Sequence, residues 1–289
     1  MIGVAGGLLS SNVSTLNRVH MKHKKSSKIM QEKISDIYID GKHYDQLFLE
    51  DSEDISFWIS QAEKYGKSIL ELACGTGRIT IALAKAGFEV TGIDYADGML
   101  QEAREKSAKA GVEIEWVKGD MRDFNLGKKF SLIILAGNTL CHLLTLADFE
   151  ACASAVRGHL TQNGRFVISV FVPKNELLIN KPGERFPFSE YEDPNGRGRI
   201  VVTESYEYEA DTQIKRIKTY HSIPGEEAEI EGELNLRMYF PQELDALLKY
   251  NGFVIENKYG SDDRREFDKD SEIQLIVCRM AKENTSMAC

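Results

Sequence analysis

The sequence contains no apolar run of about 18 residues, the length that a membrane-spanning helix needs. Proline is scarce, with 6 residues, and the 23 glycines follow no collagen-like period. Basic side chains are outnumbered, 36 Lys and Arg against 45 Asp and Glu, so that the formal net charge is -9. We therefore expect neither a membrane nor nucleic acid as a partner, because an acidic surface repels phosphate backbones.

Cysteine is sparse and its spacing is irregular. None of the five cysteines stands in a CxxC pair, the spacing typical of zinc sites. We expect buried thiols in a reducing compartment, hence a cytoplasmic protein, and no metal site. The cysteines are Cys74, Cys141, Cys152, Cys278 and Cys289.

The chain has 289 residues, which is enough for one large domain or two small ones. Residues 1–35 differ from the rest in charge, because five Lys and Arg residues precede the first acidic one, Glu32. We interpret residues 1–35 as a disordered basic leader. An added leader, a transit peptide and a native extension all fit this composition.

From about residue 52 the chain alternates helical and strand signals, which is typical of a parallel sheet covered by helices. Helices are predicted over 52–65, 79–86, 97–111 and 148–160, the third of them capped by Asp97. Strands are predicted over 68–73, 88–93, 114–117, 132–135 and 166–171. The predicted class is α/β and doubly wound, with a cofactor-binding core over residues 36–172.

After residue 172 the apolar pattern changes to period two. Three strands are predicted within residues 173–240, separated by turn signals at 211–212 and 224–225. We predict an inserted antiparallel β meander that covers the acceptor or forms a homodimer contact. Residues 241–280 are predicted to complete the core with a helix and a β hairpin, leaving a tail over 281–289.

The most informative segment is ILELACGTGR, residues 69–78, where a strand leads through Gly75 and Gly77 into a helix. Glycines let a backbone approach a ligand closely, and the free N–H groups at a helix start favour anions. Asp94 ends the next strand, where a carboxylate can accept both hydroxyls of a ribose. Two cofactor classes use this arrangement. Thr80 replaces the third glycine of a dinucleotide site, whereas an acid such as Glu71 in the first strand is common in sites for S-adenosylmethionine (SAM).

Four segments together resemble the class I SAM-dependent methyltransferases, and the likeness extends from about Tyr44 to Arg279. Residues 69–78 resemble motif I, and GDMR at 119–122 resembles the adenine site. LAGNTLCH at 135–142 resembles the motif after the fourth strand, which faces the methionine moiety and the acceptor. HYD at 43–45 resembles the tyrosine-bearing segment that closes over the cofactor in small-molecule members. The meander and the tyrosine segment are most similar to sugar N-methyltransferases. One departure is Ser131, where relatives usually have aspartate, so that a structural hydrogen bond is expected to be missing.

This resemblance implies a Rossmann-like methyltransferase fold with a mostly parallel seven-stranded sheet, SAM as cofactor and a small-molecule acceptor. It implies methyl transfer to a nitrogen or oxygen atom by in-line displacement, which needs no metal and gains mainly from positioning. The residues implied to bind the cofactor are Tyr44, Glu71, Ala73, Gly75, Gly77, Arg78, Asp94, Tyr95, Met99, Asp120, Met121, Ala136 and Asn138.

His142 is the candidate catalytic residue. It follows the fourth strand on the acceptor side, and the ordinary pKa of histidine, about 6.5, suits proton removal at neutral pH. The alternative is that His142 only shapes the pocket or donates a hydrogen bond.

Three other functions stay open: a methyltransferase for protein or nucleic acid, a SAM-binding protein without catalysis, and a nicotinamide oxidoreductase. Enzymes that methylate the amino groups of nucleobases typically carry Asn or Asp followed by Pro-Pro and an aromatic residue at the position of Gly137-Asn138-Thr139. This chain does not. A turnover assay distinguishes an enzyme from a SAM-binding protein without catalysis. An absorbance change with NAD(H) would identify a nicotinamide oxidoreductase.

Overall fold

A computed structural model describes residues 36–38, 40–48, 54–179 and 183–282. The predicted leader over 1–35 and residues 283–289 of the predicted tail lie outside the described residues. The α-helices of the described part are α1 (Gly41–Phe48), α2 (Ile55–Tyr65), α3 (Arg78–Lys85), α4 (Asp97–Ala110), α5 (Leu146–His159) and α6 (Pro241–Tyr250). Its strands are β1 (Ser68–Leu72), β2 (Glu89–Asp94), β3 (Glu115–Lys118), β4 (Phe130–Leu135), β5 (Leu160–Phe171), β6 (Phe186–Glu192), β7 (Arg199–Glu209), β8 (Ile214–Ser222), β9 (Ile230–Arg237), β10 (Phe253–Tyr259) and β11 (Ile273–Met280).

Seven strands form one sheet in the order β10-β11-β5-β4-β1-β2-β3. β1 is parallel to both β2 and β4, whereas β11 is antiparallel to both of its neighbours. β1 is buried from Ile69 to Leu72, as expected for a parallel strand that is covered on both faces. The predicted mostly parallel seven-stranded α/β sheet is confirmed.

Two hydrophobic cores lie on opposite faces of this sheet. Side chains along β4 alternate between them: Ile133 and Leu135 pack with residues of α5 and α6, and Leu132 and Ile134 pack with residues of α2 and α3. This period of two is what a strand covered on both faces requires. Along the described part of the chain, every helix is too short or too polar to cross a membrane.

A second sheet has four antiparallel strands in the order β6-β7-β8-β9. β7, β8 and β9 correspond to the predicted meander, so that part of the fold prediction is confirmed. β6 was not predicted. It contains Pro187, which lacks a backbone N–H, and it lies at the edge of the sheet, where a missing donor is tolerated.

Two local predictions were wrong. Asp97 does not cap α4; it is the first residue of the helix, follows Ala96, and pairs with Lys118. Ser131, where an aspartate is usual in relatives, still makes a structural hydrogen bond, because its hydroxyl donates to the Ser68 carbonyl at 2.9 Å. This bond links β4 to the start of β1.

Candidate functional site

The order of the strands reverses beside β1, because β2 lies on one side of it and β4 on the other. In such sheets a crevice opens at the carboxyl ends of the strands, where ligands bind. The ends of β1, β2, β3 and β4 carry, in turn, residues 73–77, Asp94, Asp120 and residues 136–142. The fold therefore brings most of the predicted site residues to one edge of the sheet.

The loop after β1 is shaped by left-handed backbone conformations. Ala73, Gly75 and Gly77 have φ angles of 49°, 57° and 86°. A Cβ on Gly77 would lie 2.7 Å from the Trp116 ring, so that only glycine fits there. A Cβ on Gly75 would meet nothing within 4 Å. The backbone at Gly75 therefore faces open space, as a loop that cradles a ligand should.

Asp94 joins this loop to the end of β2. One carboxylate oxygen accepts the Gly75 N–H at 2.8 Å, and the other accepts the Ala96 N–H at 2.8 Å. Burial raises the pKa of Asp94, although these backbone N–H donors lower it. A carboxylate has about four acceptor positions, and the Tyr95 N–H also acts on Asp94, so acceptor capacity remains on the carboxylate. That capacity suits the hydroxyls of a ribose.

Glu71 lies within β1 and is 5% exposed. It accepts a hydrogen bond from the Thr80 hydroxyl, and burial raises its pKa to about 7. Arg78, which was predicted to bind the cofactor, pairs with Asp54 at the start of α2, with 2.9 Å between Nη2 and Oδ2. The Arg78 guanidinium therefore links α3 to α2 and also lowers the pKa of Glu71 through its charge.

Helix α1 is fastened to the glycine loop by side chains that the sequence did not single out. Asp45 accepts from the Thr76 hydroxyl at 2.6 Å and from the Lys106 ammonium at 2.7 Å. Tyr44 precedes Asp45, and its ring lies 5.7 Å from the Tyr38 ring. Burial raises the pKa of Tyr44, and nearby charges, including the carboxylate of Asp94, contribute to the shift. The predicted Tyr44 thus lies beside the crevice.

The predicted adenine acid, Asp120, is held by Arg122. The Arg122 side chain donates to both carboxylate oxygens of Asp120, with 2.8 Å from Nη2 to Oδ2, and it also reaches Asp148 on α5 at 2.9 Å. Met121 packs against the core, and Met99 is buried within α4. These contacts hold Asp120, Met121 and Met99 in place in the site.

The turn after β4 uses its asparagine for support. Gly137 and Asn138 both have a φ of 63°, and the Asn138 side-chain oxygen accepts the Phe171 N–H at 2.8 Å. That oxygen joins the ends of β4 and β5. Ala136 is buried in the core, and Tyr95, by contrast, is only half-buried at the end of β2.

His142 ends a short 3-10 turn, Thr139–His142, and its Nε2 lies 2.9 Å from the Tyr38 hydroxyl. Burial lowers the pKa of His142 to about 4, so the imidazole is neutral at neutral pH. The sequence did not identify Tyr38, because a lone tyrosine before a weakly patterned segment carries no signal. Neighbouring Cys141 is buried in the core, where burial raises its pKa to about 12.

A cavity of about 290 Å³ lies between α1 and the four-stranded sheet, and we name it the acceptor cavity. Helix α1 is tied to β6 beside it by the His43 ring and the Tyr191 hydroxyl, 3.0 Å apart. The lining is mainly aliphatic and aromatic, with four polar side chains from β7 and β8. The lining residues are Ile37, Leu47, Phe48, Phe171, Leu177, Phe188, Val202, Glu204, Lys215, Ile217, Thr219, His221, Leu234, Leu236 and Met238.

The residues at the crevice fit SAM. Two buried carboxylates, Glu71 and Asp94, lie at the ends of adjacent strands with spare acceptor positions. A cofactor with a ribose diol and positively charged groups supplies the donors that such carboxylates need. The open side of Gly75 leaves room for it.

Comparison with known proteins points to the same class. Residues 69–164 match the methyltransferase domain family. A Bacillus subtilis protein named as a methyltransferase is 28% identical over 205 residues, which are 68% of this chain and 78% of that protein. A dTDP-3-amino-3,4,6-trideoxy-alpha-D-glucopyranose N,N-dimethyltransferase of Streptomyces venezuelae is 27% identical over 135 residues. A solved SAM-dependent methyltransferase from Clostridium acetobutylicum superposes with a TM-score of 0.69 at 20% identity, covering 83% of this chain and 96% of that one.

The match to the methyltransferase domain covers the glycine loop and its two carboxylates, and the fold is shared with a solved SAM-dependent methyltransferase. The match to the amino-sugar enzyme spans 47% of this chain and 54% of that enzyme, about half of each. The likeness alone therefore does not assign that enzyme's acceptor to this chain.

Proposed function

We propose that this chain transfers methyl groups from SAM to a nitrogen atom of a small molecule held in the acceptor cavity. The observation that supports this proposal most strongly is that the cavity adjoins the cofactor crevice. Phe171 lines the cavity, and its N–H is bonded to Asn138 of the turn after β4. Ile37 lines it too, directly before the Tyr38 that contacts His142. A molecule in the cavity is thus beside the place where the reactive methyl belongs.

In this proposal three of the predicted cofactor residues, Asp94, Glu71 and Tyr44, have a definite task. Asp94 accepts the ribose hydroxyls, Glu71 offers a buried carboxylate to the positively charged methionine end, and the N–H groups at the start of α3 face the same space. Tyr44 and Asp45 hold α1 over the crevice. When bound, SAM supplies an electrophilic methyl on a sulfonium centre. The neutral amine would form the new nitrogen–carbon bond as the carbon–sulfur bond breaks, with S-adenosylhomocysteine as the leaving group, and the methylated nitrogen would then release its proton to water.

The pair of Tyr38 and His142 is proposed to orient the acceptor amine. With a pKa of about 4, His142 is a weak base but stays a neutral hydrogen-bonding group through the physiological range. Positioning rather than proton removal is therefore its main contribution. This changes the role expected from the sequence, where a pKa of about 6.5 favoured a general base.

An amine acceptor is supported by the similar Streptomyces venezuelae enzyme, whose name describes N,N-dimethylation of an amino sugar. A cavity of about 290 Å³ suits a small molecule better than a folded protein or a nucleic-acid strand. The latter acceptors would need a longer groove. A SAM-binding protein without catalysis has no need of an adjoining cavity.

Two further proposals concern the setting of the enzyme. Free, buried thiols at Cys74, Cys141, Cys152 and Cys278 support a reducing, cytoplasmic location. Exposed Val201 and Ile230 on the four-stranded sheet support pairing of two copies there. Sedimentation analysis should show a dimer, and a monomer at all concentrations would contradict the pairing.

The test of the proposed function is a labelled-methyl transfer screen. Small amines, amino sugars, hydroxy acids and phenols are offered with SAM, with protein and nucleic acid alongside. Transfer to amines is the expected result. Transfer only to macromolecules, or none to any class, would refute the proposal.

Variants at the Tyr38–His142 pair refine this test. His142→Ala and Tyr38→Phe should lower kcat with the affinity for S-adenosylhomocysteine nearly unchanged. Tyr250→Phe serves as the control, because Tyr250 is 83% exposed. The kcat/KM profile of the wild type should show no inflection from His142 between pH 5.5 and 7.5, since its pKa is about 4. Full turnover by His142→Ala at saturating acceptor would remove His142 from the mechanism.

A further inference from the structure

Two side chains of opposite charge face the acceptor cavity without pairing with each other. Glu204 on β7 and Lys215 on β8 both line it. Within the described residues neither side chain makes a hydrogen bond, and the two form no ion pair within 4 Å, the limit for such a pair. The Lys215 ammonium lies only over the Tyr206 ring, 3.6 Å from its centroid.

Lys215 is an unusual residue for such a position. It is 6% exposed, and its side chain stands among Ile217, Leu236 and other apolar residues on the same face of the sheet. Lysine is almost never buried unless it is paired. Burial lowers the pKa of Lys215, and the charge of Glu204 raises it again. A buried ammonium that keeps its charge in an apolar cavity needs an anion from elsewhere.

The charges of the other side chains in the cavity indicate which class of molecule carries that anion. Lys215 and Glu204 together carry no net charge, and the pKa of nearby His221 is lowered by burial, so that it is neutral. A ligand with only an acid would leave the partly buried Glu204 carboxylate without a partner, and a ligand with only an amine would leave the buried Lys215 ammonium without one. A zwitterion satisfies both. A neutral polyol offers no charge to either side chain, and its other hydroxyls would face the apolar remainder of the lining.

Resting on the proposed function, we propose that the methyl acceptor is an amine that also carries an acidic group, that Lys215 binds this acidic group, and that Glu204 faces the amine, which gives up its proton to water before its neutral form attacks the methyl group. The acid is a carboxylate or a phosphate, because both provide oxygens to a lysine ammonium. The body of the acceptor is apolar and small. It packs against Phe48, Phe188 and Leu234.

The experiment compares matched compounds that differ only at the acidic group. Phenylalanine is paired with phenylalaninamide, and glucosamine 6-phosphate with glucosamine, so that carboxylate and phosphate are separate arms and every compound keeps its amine. Each is titrated by calorimetry into protein loaded with S-adenosylhomocysteine, and kcat/KM is measured for each with SAM. The proteins are the wild type, Lys215→Met and Lys218→Met. Lys218 is the control, because it lies on the same strand but on the opposite face and is exposed.

The acid-bearing member of at least one pair should bind about tenfold or more tightly than its partner without the acid to the wild type and to Lys218→Met. This follows from the strength of charge-assisted hydrogen bonds. In Lys215→Met the preference should fall to within twofold, with the affinity for S-adenosylhomocysteine unchanged, which also shows that the variant is folded. An equal or better result for the members without the acid, or a preference that survives in Lys215→Met, would overturn this inference.

The experiments distinguish a failure of the proposed function from a failure of the inference about Lys215. If amines are methylated with no preference for an acidic group, the proposed function holds and only the inference about Lys215 is refuted. If no amine of any kind is methylated, the proposed function itself is refuted.

Discussion

Replacing Gly75 with alanine separates the two roles of the glycine loop, folding and cofactor binding. Gly75 has a φ of 57°, and its missing Cβ would meet nothing within 4 Å. The only folding cost is therefore the left-handed backbone, which costs about 1–2 kcal/mol for a residue with a side chain. The added methyl, however, points into the space that faces the cofactor.

Gly111→Ala provides a matched control. Gly111 follows α4, has a φ of 66°, and its Cβ would also meet nothing within 4 Å. Both variants should lose about 1–2 kcal/mol, which lowers Tm by roughly 2–8 °C for a domain of about 250 residues. Gly77→Ala should lose more, because its Cβ would lie 2.7 Å from Trp116.

The assay is thermal unfolding together with calorimetric titration of S-adenosylhomocysteine. Gly75→Ala should weaken binding by at least tenfold, and Gly111→Ala should leave it unchanged at a similar Tm. If Gly75→Ala bound S-adenosylhomocysteine as the wild type does, the space beside Gly75 would not be the cofactor site. The argument from the loop geometry would then be refuted.

Two further variants test the electrostatics of the site. The pKa of Glu71 is about 7 in the folded state, above its ordinary value of 4.5. Between these two pH values the folded state holds a proton that the unfolded state has released. The free energy of unfolding therefore falls as pH rises from 4.5 through 7. Glu71→Gln should therefore gain stability relative to the wild type between pH 4.5 and 8, by up to about 3 kcal/mol in urea unfolding, and a constant difference would contradict the raised pKa. Asp45→Asn loses the charge that pairs with Lys106 and should cost only about 0–1 kcal/mol of stability. It should, however, release S-adenosylhomocysteine several-fold faster in stopped-flow measurements, whereas Asp245→Asn, which breaks a pair on α6, should not; equal rates would argue against α1 as a clamp.

The sequence predicted the parts of the fold that depend on local patterns. The run from Ile69 to Leu72 is apolar apart from Glu71 and ends in a glycine loop, so both the strand and the turn have strong local signals. The period-two strands of the meander were predicted for the same reason. By contrast, α1 was not predicted as a helix, because GKHYDQLF is only 8 residues long and the helix is held by contacts to Thr76 and Lys106.

The candidate site was predictable only where its residues lie close together in one sequence motif. Gly75, Gly77 and Asp94 are close in sequence and meet as expected. Lys215 and Glu204 were not identified, because they share a cavity only through the pairing of β7 with β8 and the packing of that sheet near α1. Partners also decide the task of a side chain: the Asn138 oxygen is taken by the Phe171 N–H, and a sequence does not show that bond.

The central claim is that Asp94 and the open backbone at Gly75 form the binding site of SAM. Its most direct test is calorimetric titration of S-adenosylhomocysteine into the wild type, Asp94→Asn and the control Asp245→Asn. We predict saturable binding to the wild type and the control, and at least tenfold weaker binding to Asp94→Asn, because hydrogen bonds to a carboxylate are stronger than those to an amide. No binding heat with the wild type, or equal affinity in Asp94→Asn, would contradict the claim.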